Sequence, residues 1–332
     1  MKKLRLGVLG CAGIYAGSVA PALKSSLLVE PYAVASRDIE KAQKYADAHG
    51  FTVPYGSYEA LLADPNVDFV YIPLPNHLHL EYIKKAADAG KPIICEKPLG
   101  LNAKEAAEAA AYCQKREIPL MEAFMYRFHP QWVQAKELIR SGKLGELITV
   151  NGLFSYNNRD RANIRNIAAY GGGAILDIGC YTVSSARYLI GTEPVRAVCS
   201  ITRDPSFKTD VLVSAILDFG GGKTAVFSVS TQISSYQRVT AIGTGGSFSI
   251  EIPFNMPDNA PGHIMLNDSD GKRLVESELA NQYRLEFDGF AESLIQKVEV
   301  PTPVADAVAN MAVLDALFKS AVSGGWETVQ RY

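Results

Sequence analysis

The sequence predicts an α/β domain followed by an α+β domain, and two observations lead to this fold class. Early in the chain, short apolar runs alternate with stretches of helical periodicity, which is typical of β–α–β crossovers and a doubly wound parallel sheet. After Pro130, β-rich runs follow one another without helices between them, which indicates a large, mainly antiparallel open sheet. The expected domains are therefore 1–122 and 123–332, with the last helix, 305–322, packing back on the first domain.

The predicted strands of the first domain lack strict inward–outward alternation, as expected where helices cover both faces of a sheet. They are Leu4–Leu9, Pro31–Ala35, Phe69–Leu74, Pro92–Cys95 and Pro119–Ala123. Helices are predicted between them at Ile14–Lys24, Asp38–His49, Tyr58–Leu62, His77–Ala89 and Ala103–Arg116. Asp38 and Asn102 are typical N-cap residues, and Gly50 and Gly90 are typical of helix C-termini, so capping signals and periodicity agree.

The second domain begins with a predicted helix, Trp132–Ser141, and continues mainly as strands. The strands are predicted at Ile148–Tyr156, Val195–Thr202, Val211–Phe219, Thr224–Thr231, Arg238–Gly243 and Ser247–Ile252. The three glycines 220–222, between two of these runs, indicate a hairpin turn. Polar residues recur along the sheet, so we expect one face to be solvated or to meet a partner. Two helices, Gln282–Lys297 and Ala305–Val322, close the chain.

The composition is that of a globular protein: of 332 residues, 48% are hydrophobic and 20% charged, and the net charge is −2. This balance excludes a disordered or collagen-like chain and provides no basic field for nucleic acid or an anionic membrane. The five cysteines are odd in number and far apart, without a CxxC pair, which argues against a disulfide framework or a metal site. The apolar run Leu6–Leu9 is too short for a secretory signal, and no run is long enough to span a bilayer. We therefore expect a cytoplasmic protein.

A glycine-rich turn follows the first predicted strand, at the sheet edge where open α/β folds bind ligands. Gly10 allows the tight turn, and the small Ala12 lets a pyrophosphate approach backbone N–H groups, including those of Gly13 and Ile14, where the helix begins. Alanine and Tyr15 replace the second and third glycines of GxGxxG, so a turn without a ligand is the alternative. The position between strand and helix favours a Rossmann dinucleotide-binding domain.

The end of the second strand indicates which dinucleotide binds. NAD requires an acidic side chain there for its ribose 2′-hydroxyl, whereas this chain has Ser36 and Arg37, with Lys41 one turn into the next helix. A hydroxyl, a guanidinium and an ammonium suit a 2′-phosphate. The sequence therefore predicts a preference for NADP over NAD. The alternative is that the two cations are a solvated helix start.

A proline-rich loop follows the strand at Phe69–Leu74. Its prolines exclude both helix and ladder pairing, and we expect Leu74, Asn76 and His79 to contribute to the cofactor site, with Asn76 or His79 facing the nicotinamide ribose. Asn76 is equally suited to cap the helix that follows.

Glu96 and Lys97 come directly after the next apolar strand, where a charged pair is unfavourable unless it is paired or functional. We predict that Glu96 belongs to the cofactor site and that the Lys97 ammonium points into the cleft. There it polarises a carbonyl or helps a proton leave a hydroxyl, with a pKa lowered by desolvation. A lysine in a surface turn is the alternative.

Together these motifs resemble the glucose–fructose oxidoreductase, inositol dehydrogenase and rhizopine-catabolism (Gfo/Idh/MocA) family of oxidoreductases. The resemblance rests on Gly10-x-Ala12-x-Ile14, Asn76-x-x-His79, Glu96-Lys97-Pro98, Met-Tyr-Arg-Phe-His-Pro at 125–130 and Gly-Gly-Gly-Ala-Ile-Leu-Asp-Ile-Gly-Cys-Tyr at 171–181. Many members have histidine where this chain has Tyr181. The tyrosine places the chain nearer the branch of glucose–fructose oxidoreductase, anhydrofructose reductase, xylose dehydrogenase and dihydrodiol dehydrogenase, whose members favour NADP.

The resemblance implies that Lys97 lies near the substrate and the nicotinamide, with Glu96 as its structural neighbour, and that Asp177 binds or orients the sugar. Hydride transfer requires a proton to leave or join the substrate oxygen, and a nearby ammonium lowers the pKa of a phenol. We therefore interpret Tyr181 as the general acid/base. The alternative is that Asp177 caps a helix and Tyr181 is a core residue.

Further polar side chains are candidates for the substrate rim, chiefly Arg127, His129 and Arg165. The run 157–165 is interpreted either as a cap over the cleft or as a charged surface loop. The predicted function is an NADP-dependent oxidoreductase acting on a sugar or cyclic polyol, assembled as a homodimer or homotetramer through the second-domain sheet. Alternatives are a trans-dihydrodiol dehydrogenase, a ketoreductase of an activated deoxysugar and a non-catalytic NADP-sensing regulator.

Overall fold

The computed structural model describes residues 2–332. The chain forms two compact units. One contains the described residues up to Met125 together with Tyr283–Val308, and the other contains Tyr126–Gln282 together with Ala309–Tyr332. Within the described range, no helix is both long and apolar enough to cross a membrane.

The first unit is built on a six-stranded parallel sheet, which confirms the doubly wound sheet predicted from the sequence. The strands are β1 (Leu4–Leu9), β2 (Val29–Ala35), β3 (Val53–Tyr55), β4 (Phe69–Ile72), β5 (Ile93–Glu96) and β6 (Leu120–Ala123). Their order is β3-β2-β1-β4-β5-β6, and every neighbouring pair is parallel. The order reverses between β1 and β4, which is where such a sheet leaves a crevice for a ligand. The sequence analysis did not identify β3, a strand of three half-buried residues.

The predicted N-cap residues Asp38 and Asn102 directly precede two of the helices that accompany this sheet. The helices are α1 (Ala20–Leu23), α2 (Ile39–His49), α3 (Tyr58–Leu62), α4 (His79–Asp88) and α5 (Ala103–Gln114). The Asp38 side chain accepts hydrogen bonds from the N–H groups of Glu40 and Lys41 at the start of α2, and Asn102 caps α5 in the same way. Gly50 ends α2 in the left-handed conformation, at φ 77°.

The second unit is built on a nine-stranded sheet in the order β14-β13-β12-β11-β7-β10-β9-β8-β15. The strands are β7 (Leu147–Asn157), β8 (Arg196–Arg203), β9 (Asp210–Gly220), β10 (Lys223–Ser230), β11 (Gln232–Gly243), β12 (Ser247–Ile250), β13 (His263–Asp268), β14 (Gly271–Glu276) and β15 (Glu327–Thr328). The predicted glycine hairpin joins β9 to β10, with Lys223 opposite Gly220. Neighbouring strands are antiparallel except β7 and β10, so the sheet is mixed but mainly antiparallel, as predicted.

Four helices complete the fold: α6 (Pro130–Arg140), α7 (Cys180–Ile190), α8 (Gln282–Gln296) and α9 (Val304–Ser323). From Tyr283 onward, α8 belongs to the first unit, where the Phe290 ring lies 5.6 Å from that of Phe69 on β4. Most of α9, from Ala309 onward, belongs to the second unit, so the prediction that the last helix packs on the first domain is wrong and α8 is the helix that joins it. In the second unit, the rings of Trp132 and Phe254 stack at 6.1 Å in the core. Large aromatic side chains thus pack a helix of each unit against the core of that unit.

Candidate active site

The turn after β1 has the backbone shape that a pyrophosphate site requires. Gly10 has φ +110°, and a Cβ there would lie 3.0 Å from a methyl group of Leu74, so only glycine is free of strain at this position. A Cβ on Gly13 would meet nothing within 4 Å, which means that open space adjoins the start of the helix. Exposed N–H groups at that end of a helix bind anions. The turn therefore fits a dinucleotide.

Tyr15 replaces the glycine that usually lets the first helix pack closely on the sheet, and the structure shows how the bulk is accommodated. The ring is fully buried and lies 5.0 Å from that of Phe51. Residues Tyr15–Val19 form a single π-helical turn ahead of α1. Such a turn inserts one extra residue into a helix and is frequent at functional sites. Nearby, the Tyr45 hydroxyl donates to the carbonyl of Ala12 at 2.7 Å and fixes the loop.

Ser36, Arg37 and Lys41 lie where the ribose-phosphate end of a dinucleotide is expected, at the end of β2 and the start of α2. Ser36 is nearly buried, its N–H donates to the carbonyl of Tyr55 at 3.0 Å, and its hydroxyl accepts from the N–H of Asp38 at 3.3 Å. Arg37 and Lys41 are exposed. Burial raises the pKa of the Cys11 thiol, and the nearby Lys41 ammonium opposes that rise. The turn after β1 and the start of α2 are therefore neighbours.

His79 lies deeper than the sequence predicted. Its ring is fully buried, with Nδ1 2.9 Å from the carbonyl oxygen of Pro98 and Nε2 2.7 Å from that of Leu74. Burial lowers the pKa of His79 to about 4, so the ring is neutral and donates to one of the two carbonyls. The ring connects the loops after β4 and β5, which supports a positioning role rather than direct contact with the ribose. Asn76 begins a short 3₁₀ turn before α4 and is not the N-cap of that helix.

Glu96 and Lys97 stand at the carboxyl end of β5, as predicted. The Tyr71 hydroxyl donates to Oε1 of Glu96 at 2.5 Å, and the backbone N–H of Lys97 lies 3.3 Å from Oε2. Burial, and then the Glu96 carboxylate, raise the pKa of Tyr71 well above its ordinary value, so Tyr71 remains a hydrogen-bond donor. The Lys97 ammonium contributes to the low pKa of His79. The lysine charge thus lies among buried polar groups, which argues against a simple surface turn.

In the second unit, three glycines, 171–173, form the approach to α7. A Cβ on Gly172 would lie 2.5 Å from the carbonyl oxygen of Arg165. Gly173 has φ +120°, and a Cβ there would lie 2.8 Å from Cγ of Asp210. The Asp210 carboxylate accepts a hydrogen bond from the N–H of Ile175 at 2.6 Å. The glycines therefore allow Asp210 to cap the helical segment that carries Asp177.

Asp177 is bound on both carboxylate oxygens. Oδ1 accepts from Nε of Arg165 at 3.0 Å, and Oδ2 accepts from the hydroxyl of Tyr156. The carboxylate raises the pKa of Arg165, and burial followed by the Asp177 charge raises the pKa of Tyr156. Asp177 lies within a π-helical turn, Ile175–Gly179, and is not the N-cap of α7, so the capping alternative is wrong.

Tyr181 lies one turn after Asp177 on the same side of the helix. It is 7% exposed, and its ring lies 5.2 Å from that of Phe254 and 5.7 Å from that of Phe154. Tyr181 also contributes to the raised pKa of Arg165, which places its hydroxyl end near the guanidinium. The phenol thus has an apolar body and a charged neighbour.

The two remaining candidates for the substrate rim, Arg127 and His129, lie in different surroundings. Arg127 donates to the hydroxyl of Ser184 on α7 at 2.8 Å and so lies beside the helix that carries Tyr181. His129 is fully buried, accepts from the N–H of Gln131 at 3.2 Å and caps α6. Burial lowers the pKa of His129 to about 4. This buried position does not support the prediction that His129 lies on the substrate rim.

Three residues of these clusters were not identified from the sequence: Tyr71, Tyr156 and Asp210. Asp210 carried a usable signal, because an acidic side chain at the start of an apolar strand is either bonded or costly to bury. Tyr156 carried none, since a tyrosine at the end of a strand is common.

Comparison with known proteins identifies the class. Residues 4–124 match the oxidoreductase family with an NAD-binding Rossmann fold, and residues 132–249 match the GFO/IDH/MocA C-terminal domain. The fold and these matches define an NAD(P)-dependent oxidoreductase that acts on CH–OH donors. The chain belongs to the Gfo/Idh/MocA family, as the resemblance predicted.

Individual relatives agree with this class. The chain is 37% identical to an uncharacterized oxidoreductase of Rhizobium meliloti, over 99% of this chain and 100% of the relative. It is 39% identical to D-xylose 1-dehydrogenase (NADP(+)) 2 of Haloferax volcanii, over 97% and 98%. A solved structure similar to it is KijD10, a 3-ketoreductase from Actinomadura kijaniata in complex with NADP and TDP-benzene. The TM-score is 0.91 at 28% identity, over 96% of this chain and 98% of that one.

Proposed function

We propose that this protein is an NADP-dependent oxidoreductase that transfers hydride between a nicotinamide and the CH–OH or C=O carbon of a sugar or cyclic polyol. We assign cofactor binding to the domain predicted at 1–122, whose structural unit also contains Tyr283–Val308, and substrate binding and oligomerisation to the rest of 123–332. The observation that carries the proposal is the polar cluster beside Tyr181, in which Asp177 is bonded to Arg165 and Tyr156. A catalytically silent dinucleotide sensor has no need for such a cluster.

Residues of the first unit would hold the cofactor. The turn formed by Gly10, Ala12, Gly13 and Ile14 would hold a pyrophosphate: the Gly10 N–H is bonded to the carbonyl of Ala35, and open space adjoins Gly13 at the start of the helix. Ser36, Arg37 and Lys41 suit a 2′-phosphate. The NADP in the name of the Haloferax relative and in the KijD10 complex supports the same preference. When bound, the nicotinamide accepts or supplies the hydride.

The chain itself must handle the proton. We assign Tyr181 the role of general acid/base on the substrate oxygen, and Lys97 that of the positive charge that stabilises negative charge on that oxygen. Asp177 orients Arg165, whose terminal guanidinium nitrogens have no hydrogen-bond partner among the described residues. Those nitrogens are then available to substrate oxygens. The prediction that Asp177 anchors a substrate hydroxyl is thus extended to its partner Arg165.

The substrate class is tested by measuring initial rates, from nicotinamide absorbance, with aldoses, keto sugars and trans-dihydrodiols. Each substrate is paired with both NADP(H) and NAD(H). We expect turnover of a free sugar such as D-xylose with NADP, because the relative that matches almost the whole chain is named for it. Turnover of a dihydrodiol, or of a nucleotide-linked keto sugar alone, would favour the two alternative substrates. Preference for NAD would contradict the cofactor assignment.

Assembly through the second-unit sheet is part of the proposal, as is a cytoplasmic location. One face of this sheet carries Leu153, Ile216 and Val226, which are 45%, 38% and 43% exposed. Hydroxyl pairs such as Ser214 and Ser228, with oxygens 2.8 Å apart, alternate with them. A mixed apolar and hydroxyl face suits a self-complementary homodimer or homotetramer contact. Light scattering that gives the mass of one chain would contradict it.

A further inference from the structure

A second buried carboxyl group belongs to the same unit as Glu96 and Lys97. Glu286, on α8, is 2% exposed, and within the described part of the chain its buried Oε1 has no hydrogen-bond partner. Its neighbour Phe287 packs edge-on against Tyr71, with ring centroids 5.2 Å apart. Tyr71 in turn donates to Glu96. Glu286 is therefore on the helix that covers the Tyr71–Glu96 pair.

The two carboxyl groups have unequal surroundings. Glu96 accepts from the Tyr71 hydroxyl, faces the N–H of Lys97 and precedes a lysine in sequence. Glu286 has none of these stabilising contacts. Two carboxylates that share a buried region do not both ionise, and the proton remains on the one with fewer donors.

We propose that Glu286 is held as the neutral acid and is a positioning residue: by remaining protonated it leaves the negative charge of this pair of carboxyl groups on Glu96, beside Lys97. The catalytic consequence rests on the proposed function, whereas the protonation state does not. Burial, and then the Glu96 charge, raise the pKa of Glu286 well above its ordinary value of 4.5, which agrees with this assignment. The titratable groups that interact with it are Glu96 on β5 and Tyr71 on β4, and Tyr283 on α8 interacts in turn with Tyr71.

The protonation state has a signature in stability. A carboxyl group whose pKa is raised on folding contributes stability that is complete below its unfolded value and is lost as pH rises toward the folded value. Glu286→Gln, which mimics the neutral acid, removes that loss. We therefore expect the Tm of Glu286→Gln to exceed that of the wild type by an amount that grows from pH 4.5 upward to neutral pH. A Tm difference that is independent of pH would overturn the proposal.

Two further measurements test the link to Glu96 and to catalysis. In a Glu96→Gln background the like charge is absent, so the pH-dependent Tm difference caused by Glu286→Gln should shrink. An unchanged difference would overturn the coupling to Glu96. In an otherwise wild-type chain, kcat of Glu286→Met and of Glu286→Gln should agree within about twofold, with similar KM for NADPH, because both side chains are uncharged and the proposed role requires only that. A kcat of Glu286→Met more than about fivefold below that of Glu286→Gln would show that the carboxyl group acts through a hydrogen bond, which would overturn the proposed role. The Tm measurements remain decisive even if no substrate is turned over.

Discussion

The two regions that carry the candidate catalytic groups are constructed differently. In the first unit, Gly10 and Lys97 directly follow the strands that place them, so local sequence sets their positions. In the second unit, Asp177 is bonded to Tyr156, which is 21 positions away, and its helical segment is capped by Asp210, 35 positions from Ile175. The comparison shows that a site at strand ends can be read from a local pattern. A site held by side chains from distant strands depends on the completed fold.

The largest expected effect tests whether both regions contribute to one reaction. Lys97→Met and Tyr181→Phe should each lower kcat about a thousandfold, because each removes a group that acts on the substrate oxygen, with little change in KM for NADPH. Groups that act as a unit are not additive, so the double variant should be nearly as active as either single variant. Rapid-mixing and steady-state absorbance measurements provide these values. Losses that multiply in the double variant would show that the two regions act independently.

The second prediction tests how the second region depends on its glycines. Gly173→Ala should destabilise the protein by about 3 kcal/mol, because the new methyl group meets Asp210 in addition to the strain of positive φ. Gly191 at the end of α7 is a matched control, with φ +79° and nothing within 4 Å of a Cβ. Gly191→Ala should lose only about 1 kcal/mol. Equal losses in urea unfolding would contradict the close contact with Asp210.

The sequence predictions were accurate where local sequence sets a position and failed where distant side chains set it. The Rossmann sheet, the caps at Asp38 and Asn102 and the place of Lys97 depend on short-range patterns, and these predictions of fold and position agree with the structure. The burial of His79 and His129 was not predicted, because a histidine's exposure depends on what packs over it from elsewhere. The hairpin of β13 and β14 was missed although Ile264 and Leu266 alternate inward on β13 and are buried, because that run is short and its partner β14 has no buried residue.

The third prediction compares these two histidines, one in each unit. Both have a pKa lowered to about 4 from an ordinary 6.5, so each contributes stability that is present above pH 6.5 and is lost as pH falls toward 4. The loss should approach about 1.4 kcal/mol per pH unit for each group within that window. Urea unfolding of His79→Asn and His129→Asn should show that each variant flattens the acid slope.

At pH 7 the two histidine variants should differ. His79→Asn disrupts the link between the carbonyls of Leu74 and Pro98 and should be destabilising by about 2 kcal/mol. His129→Asn keeps a residue type that caps helices well and should lose less than that. A larger loss at His129 would show that its ring does more than cap α6.

The smallest effect concerns the cofactor edge of the first unit. Arg37→Ala should raise KM for NADPH about tenfold and leave KM for NADH nearly unchanged. The reason is that the 2′-phosphate of NADPH would lose a charge-assisted hydrogen bond, whereas NADH has no 2′-phosphate. Lys44, exposed on the same helix but beyond its first turn, is the control, and Lys44→Ala should leave both values unchanged. Added salt should weaken NADPH binding more in the wild type than in Arg37→Ala, since screening acts on the charge that the variant lacks. Equal changes for the two cofactors would mean that Arg37 only stabilises the start of α2, and the preference for NADP would then have to come from Ser36 or Lys41.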